Sequence, residues 1–197
     1  MKIYILRHED RTQDATMFSP LTENGLENSI KMIEELEDID FDIIYSSPYI
    51  RTLQTIYPYS KKHNKKINLE YSLCEFQSSY LVPENSYQVR LPEYLAKSFN
   101  YNPNYKSIFQ PENINYPENE HEVNKRVKMF LTKLMNDNLE SRKRILLVTH
   151  QAICNSILKI ATKDLDYQHA FTDSYPKGGI TKVWDVDEWI YKPINYN

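Results

Sequence analysis

KIYILRHED, residues Lys2 to Asp10, sets five residues suited to a buried strand directly against Arg-His-Glu-Asp, with no turn signal between them. Short apolar runs of this kind fit a strand of a parallel sheet covered on both faces. Ligands of such sheets bind in the crevice outside the carboxyl ends of the strands. With Lys2 to Leu6 as the first strand, Arg7 and His8 become candidate site residues. RILLVT, Arg144 to Thr149, is the clearest buried strand in the chain, and it also runs straight into a histidine, His150.

The segments between these strands alternate in type. SPLTENG offers a turn and a helix start at Thr22, after which Leu26, Ile30, Ile33 and Leu36 recur at helical spacing to about Glu37. Phe41 to Tyr45 reads as a second strand. It leads into SSPYIRTLQT, where Ser47 is expected to cap a helix with Pro48 in its first position. Ile67 to Glu70 predicts a short third strand, and Glu122 to Leu134 a helix with Val123, Val127, Phe130, Leu131 and Leu134 on its apolar side. QAICNSILKI predicts a helix packing Ile153, Ile157, Leu158 and Ile160 on the sheet, and Ile180 to Val186 and Trp189 to Tyr191 predict late strands. Strands alternating with helices imply an α/β fold: three-layer α/β/α, with a mostly parallel, doubly wound sheet.

At 197 residues the chain fits a single domain able to bury a core without disulfides or metals. Gln77 to Asn119 crowds Tyr, Asn, Pro and Ser together, and we expect an insertion there, a lid at about 77–119. Its Tyr80, Tyr87, Tyr94, Phe99 and Tyr101 are available to stack on a substrate, or else are buried under an ordinary surface insertion. The formal charge of -3, with both signs mixed throughout, leaves no footprint for nucleic acid or an anionic membrane. Cys74 and Cys154 stand apart, no signal peptide or long apolar run is visible, and a cytoplasmic setting is expected.

Three strand tips thus offer Arg7 and His8, then Arg51 in the first turn of a helix, then His150, while Glu75 follows the third strand. Guanidinium forks match phosphoryl oxygens, and free N–H groups at a helix start add donors. Beside such a group a neutral imidazole can attack phosphorus while a protonated one stabilises the transferring charge, and a carboxyl such as Glu75 can protonate the leaving oxygen. Each residue has an ordinary reading: a lone arginine caps a helix, a lone histidine packs in a core. Together they make a phosphate site. Two histidines and a carboxylate are also a metal triad, but two arginines in the same pocket repel a dication. His63, His121 and His169 carry no motif and read as surface or structural residues.

LRHED, SPLTENG, DIIYSSPYIRTLQT, LCE and LLVTH resemble, in order and spacing, the motifs of the histidine phosphatase superfamily, the phosphoglycerate-mutase-like proteins. The resemblance covers Met1 to about Glu75 and Glu118 to about Val186. There ENEHEVNKRVKMFL and GGITKVWDV resemble the family's penultimate helix and last strand. It implies that His8 is the phospho-acceptor, that Arg7 and Arg51 hold the phosphate, that His150 binds it and stabilises the transferring group, and that Glu75 is the general acid and base. Arg11, in R-H-x-x-R spacing, is a further phosphate-binding candidate; Gln54 and Thr55 are expected to support the site rather than react.

The implied activity is a metal-independent phosphatase without cofactor, acting through a phosphohistidine on a small phosphorylated substrate or a phosphoprotein. A mutase, or a phosphate-binding scaffold without turnover, is the alternative. Two positions depart from the family pattern: its glycine after the first histidine is Glu9, and the glycines after the late histidine are Gln151 and Ala152. A carboxylate in the pocket would oppose phosphate, so Glu9 is expected to point away from His8.

Overall fold

The structure, a computed structural model, describes residues 1–14, 16–80, 82–84, 90–162, 173–185 and 188–193. Tyr87, His169 and Val186, named above, lie outside the described residues. The ordered elements are β1 (Lys2–Arg7), α1 (Glu23–Ile39), β2 (Ile43–Ser46), α2 (Ile50–Lys62), β3 (Ile67–Leu69), α3 (Glu93–Ala96), α4 (Glu120–Asn138), β4 (Arg144–Thr149), α5 (Gln151–Thr162), β5 (Ile180–Asp185) and β6 (Glu188–Pro193). The sheet runs β3-β2-β4-β1-β5-β6; β1 to β4 are parallel, while β5 and β6 join antiparallel at the far edge.

Strand alternation divides the core in two. Ile3, Ile5, Ile145 and Leu147 face α4 and α5, packing on Val127, Phe130, Ile153 and Ile157. Tyr4, Leu6, Leu146 and Val148 face α1 and α2, packing on Leu36, Leu53 and Ile56. The helix after β1 therefore lies on one face and the helix after β4 on the other. That change of face between two neighbouring strands is the topological switch point at which such sheets bind ligands. His8 and His150 stand on either side of it. The register pairs Arg7 with Thr149, and Ser46 with Val148, so the three tips end level.

Two elements differ from the sequence expectation. On α1 the buried stripe is Gly25, Ser29, Met32 and Leu36, while Leu26 and Ile30 are exposed. The helix presents its small residues because it sits close to the chain beyond β1. A Cβ on Gly25 would overlap the Asp10 carbonyl oxygen, and Thr22 N–H donates to that same oxygen at 2.9 Å. α2 begins at Ile50, two residues later than the Ser47 cap predicts, with Tyr49 at its N-cap.

α4 starts at Glu120 on a reciprocal cap between Asn119 and Glu122. Between β3 and α4 the described residues hold only α3 and short single turns, and they are fastened by Glu70, which is fully buried. The Glu70 carboxylate accepts from Ser72 N–H at 2.9 Å, Tyr105 OH at 2.6 Å, Ser107 OH at 2.8 Å and Ile108 N–H at 2.9 Å. Of the aromatics in this segment, Phe99 and Tyr101 pack into the core below, whereas Tyr80 and Tyr94 stand in solvent. No helix among the described residues is long and apolar enough to cross a membrane.

Candidate active site

The β1 and β4 tips are locked together by His8 N–H donating to Thr149 O at 2.9 Å, and the β2 tip by Ser47 N–H donating to Val148 O at 3.0 Å. This brings His8, His150, Arg51 and Glu75 together. The His8 and His150 rings lie 5.2 Å apart. Glu75 Oε2 is 3.5 Å from His150 Nδ1 and 3.6 Å from Arg51 Nη2.

His8 is oriented from both sides. Its Nδ1 lies 2.7 Å from the Glu9 carbonyl oxygen, which can only accept, so Nδ1 carries the proton. Nε2 is then the bare nitrogen, and Arg51 Nε–H donates to it at 3.3 Å. Burial, then the Arg51 charge, hold the His8 imidazole well below its ordinary value of 6.5. The same two causes hold His150 well below it. Near neutral pH both rings are therefore neutral. One of them is thus a competent nucleophile.

Arg51 is fully buried, with its guanidinium carbon 4.5 Å from the Tyr49 ring centroid and its Nη1 donating to Thr16 O at 2.9 Å. Burial lowers its pKa to about 10, so it stays cationic. Arg7 donates through Nη1 to the Tyr175 carbonyl, while its Nε is buried with no hydrogen-bond partner. His150 Nδ1 is a second buried nitrogen without a hydrogen bond. Buried polar groups are nearly always satisfied, and unsatisfied ones mark where another group belongs. Arg11 folds onto its own loop, donating to Thr12 O at 2.6 Å and Asp14 O at 3.3 Å, and reaches the imidazoles through its charge.

Glu9 turns away from this pocket. Its carboxylate accepts from Asp10 N–H at 3.3 Å and from Asn28 Nδ2 at 3.5 Å, against α1. Burial raises its pKa. Thr55 Oγ1 accepts from Glu9 N–H at 3.0 Å and donates to Arg51 O at 2.8 Å; Gln54 Oε1 accepts from Leu21 N–H at 2.7 Å.

Four supporting residues escape the motif reading. Ser47 does not cap α2; its hydroxyl meets His150 Nε2 at 2.9 Å. Tyr49 packs its ring edge-on to His150 at 4.8 Å. Arg126 and Glu118, both buried, form an ion pair at 2.8 Å, and Arg126 also donates to the carbonyls of Ser72, Cys74 and Glu75 at 2.6, 2.9 and 3.3 Å. This pair fixes the backbone that carries Glu75. Its one sequence signal was an arginine amid the apolar stripe of α4, between Val123 and Val127.

His8, Glu75 and His150 present ligand atoms within 4.8 Å of one another, a spacing a metal ion could use. Arg51, within 3.6 Å of two of the three, places a fixed cation among them. The donor set therefore suits an anion better than a dication.

The chain matches the family model described as histidine phosphatase superfamily (branch 1) over residues 3–192. Among solved structures it is similar to the ecdysone phosphate phosphatase of Bombix mori in complex with tungstate, at 16% identity and a TM-score of 0.77, covering 100% of this chain and 95% of that one. A phosphoglycerate mutase from Bacillus anthracis is 17% identical with a TM-score of 0.67, covering 98% and 92%. A phosphoserine phosphatase from Entamoeba histolytica in complex with phosphoserine is 18% identical with a TM-score of 0.64, covering 96% and 94%. No curated protein sequence matches the chain. At these identities the neighbours speak for the fold, and the family rests on the model match, which spans nearly every residue that carries the pocket. The chain belongs to the histidine phosphatase superfamily, branch 1, and is an enzyme of the phosphatase type.

Proposed function

We propose that the protein is a metal-independent phosphomonoester hydrolase working through a phosphohistidine on His8. The observation that carries this reading is the convergence on one imidazole nitrogen. His8 Nε2 is bare, and Arg51, the Glu75 carboxyl, a buried His150 Nδ1 without a hydrogen bond and the Arg7 charge all act on the same place. Such a set is what an anionic phosphoryl group requires. The Nε2 lone pair attacks phosphorus as the ester P–O bond breaks, and Glu75, as a carboxylic acid, gives its proton to the departing alkoxide. The Glu75 carboxylate then takes a proton from water, whose oxygen attacks phosphorus as the P–N bond breaks and orthophosphate leaves. Acid–base help of this kind is worth about 10²- to 10⁴-fold. Arg7, Arg51 and Arg11 neutralise the phosphoryl charge throughout, and His150 hydrogen-bonds the transferring group.

The neighbours printed as phosphatases of ecdysone phosphate and of phosphoserine support a small phosphorylated molecule, or a phosphorylated side chain, as substrate. The insertion at about 77–119 is read as a lid, on the ground that its first residue meets the site, Gln77 Nε2 donating to Glu75 O at 2.8 Å. The two buried free thiols accord with a cytoplasmic enzyme. The test is hydrolysis of p-nitrophenyl phosphate in chelator by wild type and His8→Ala. Nitrophenol release by wild type alone supports the reading; release by both, or only after metal is restored, overturns it.

A further inference from the structure

We infer that Ser47 is the positioning residue of the reaction, its hydroxyl fixing His150 in the tautomer that aims Nδ1–H at the phosphoryl group. The inference rests on the reading of this pocket as a phosphoryl site.

The argument begins with what His150 faces. Its Nδ1 looks toward Glu75 Oε2 at 3.5 Å and into the pocket where phosphoryl oxygens would lie. Phosphoryl oxygens accept hydrogen bonds and never donate them, so a bare Nδ1 would set a lone pair against them. His150 contributes binding only if Nδ1 carries the proton. A neutral imidazole carries one proton, so Nε2 must then be an acceptor. The atom against Nε2 is Ser47 Oγ, at 2.9 Å, and both residues are completely buried.

A serine hydroxyl can donate or accept, and the surroundings of Ser47 decide which. Tyr49 N–H approaches Oγ at 3.5 Å, and the Cys74 thiol is its other neighbour. Burial keeps that thiol protonated, and its sulfur is a weaker acceptor than an imidazole nitrogen. The Tyr49 N–H is thus the donor aimed at Oγ, leaving the hydroxyl proton for the stronger acceptor, His150 Nε2. The rest of Ser47 is immobilised: its N–H donates to Val148 O at 3.0 Å, and its carbonyl accepts from Ser46 Oγ at 2.9 Å and Thr52 Oγ1 at 2.7 Å. Tyr49, edge-on to the imidazole, closes the remaining side. The hydroxyl is held at one place with one proton to give. This also accounts for why the second serine of SSPY does not cap α2: the β2 tip delivers it to the neighbouring strand's histidine instead.

The test reads the tautomer directly. Long-range ¹H–¹⁵N spectra of the labelled full-length protein above pH 7.5 distinguish protonated from bare ring nitrogens, and inorganic phosphate is then titrated in. For wild type the expected result is a bare Nε2 and a protonated Nδ1 on His150. In Ser47→Ala we expect a mixed or reversed tautomer, with phosphate affinity lowered about 10- to 100-fold, the effect of losing one hydrogen bond to a charged group. Ser47→Thr, which keeps the hydroxyl, should retain the wild-type pattern. A wild-type His150 protonated on Nε2 overturns the inference, as does Ser47→Ala with unchanged tautomer and affinity. Should either variant fail to fold, the wild-type spectrum still decides. Failure of p-nitrophenyl phosphate hydrolysis would strike the hydrolase reading alone, because the tautomer is read without turnover.

Discussion

The Glu9 carboxylate lies against the backbone of Gly178, so that a Cβ at position 178 would overlap Glu9 Oε1. Gly178 also has φ +64 and donates its N–H to Arg7 O at 3.2 Å, on the very strand tip that presents His8. The side chain that departs from the family pattern is thus housed by a glycine on the opposite loop.

Gly178→Ala should destabilise the protein by about 3 kcal/mol, combining steric overlap with a left-handed backbone that alanine resists. In a Glu9→Gly background the overlap with Glu9 is gone, only the flexible Met32 methyl at 3.1 Å must give, and the same substitution should cost about 1–2 kcal/mol. Urea unfolding of the four proteins measures the coupling; additive costs would show that Glu9 does not occupy this space.

Glu75→Gln separates the two half-reactions. Nitrophenolate leaves without an acid, so the first step on p-nitrophenyl phosphate should survive, while water attack on the phosphohistidine loses its base. We expect a rapid burst of about one nitrophenol per protein followed by slow turnover, and a loss of about 10²- to 10⁴-fold on an alkyl phosphate such as phosphoserine. Equal losses on both substrates, without a burst, would remove Glu75 from its assigned role.

Stability should fall with acid through a defined pair of groups. His8 and His150 both have lowered pKa values in the folded chain, whereas the unfolded chain titrates near the ordinary 6.5. Above that value neither state binds the protons and the contribution is flat. Below it the unfolded state binds more protons than the native state, and stability drops as pH falls. Glu9, raised by burial, works in the opposite direction above about 4.5. The unfolding free energy of wild type should therefore decline between pH 7.5 and 5.5, and that decline should largely vanish in His8→Gln/His150→Gln.

Arg126→Met should cost about 3–5 kcal/mol, because it strands Glu118 as a buried, uncompensated charge. Pairing it with Glu118→Gln should recover much of the stability. Activity should recover less, since the three carbonyls before and at Glu75 have lost their donor. Chemical unfolding and p-nitrophenyl phosphate kinetics on the same samples check both halves.

The strands that end in Arg7-His8 and in His150 were readable because a buried parallel strand must be apolar throughout, and the polar residue after it can only mark a tip. The faces of α1 were not. Leu26 and Ile30 carry the hydrophobicity, yet close approach to the Asp10 carbonyl requires Gly25 and Ser29 inward, and spacing rules weigh apolar character rather than size. Ser47 departs from the capping expectation for a related reason. Capping rules describe a serine beside its own helix start, and the competing partner, His150, lies 103 residues away. Arg126 escaped because a guanidinium ordinarily faces water, and its burial depends on Glu118 and three carbonyls from another segment.

Arg51 is completely buried, and Glu75, the carboxylate beside it, stands at 3.6 Å rather than at hydrogen-bond distance. A guanidinium held out of water and only loosely matched is poised for an anion, and orthophosphate, the product of the proposed reaction, is one that fits. Product inhibition and thermal resistance then become one equilibrium seen twice. The melting temperature should climb with phosphate concentration along the logarithmic curve of a ligand that binds only the folded chain, flat well below the inhibition constant and rising steadily above it. The buffer chosen for a stability measurement on this protein is in that sense a reagent.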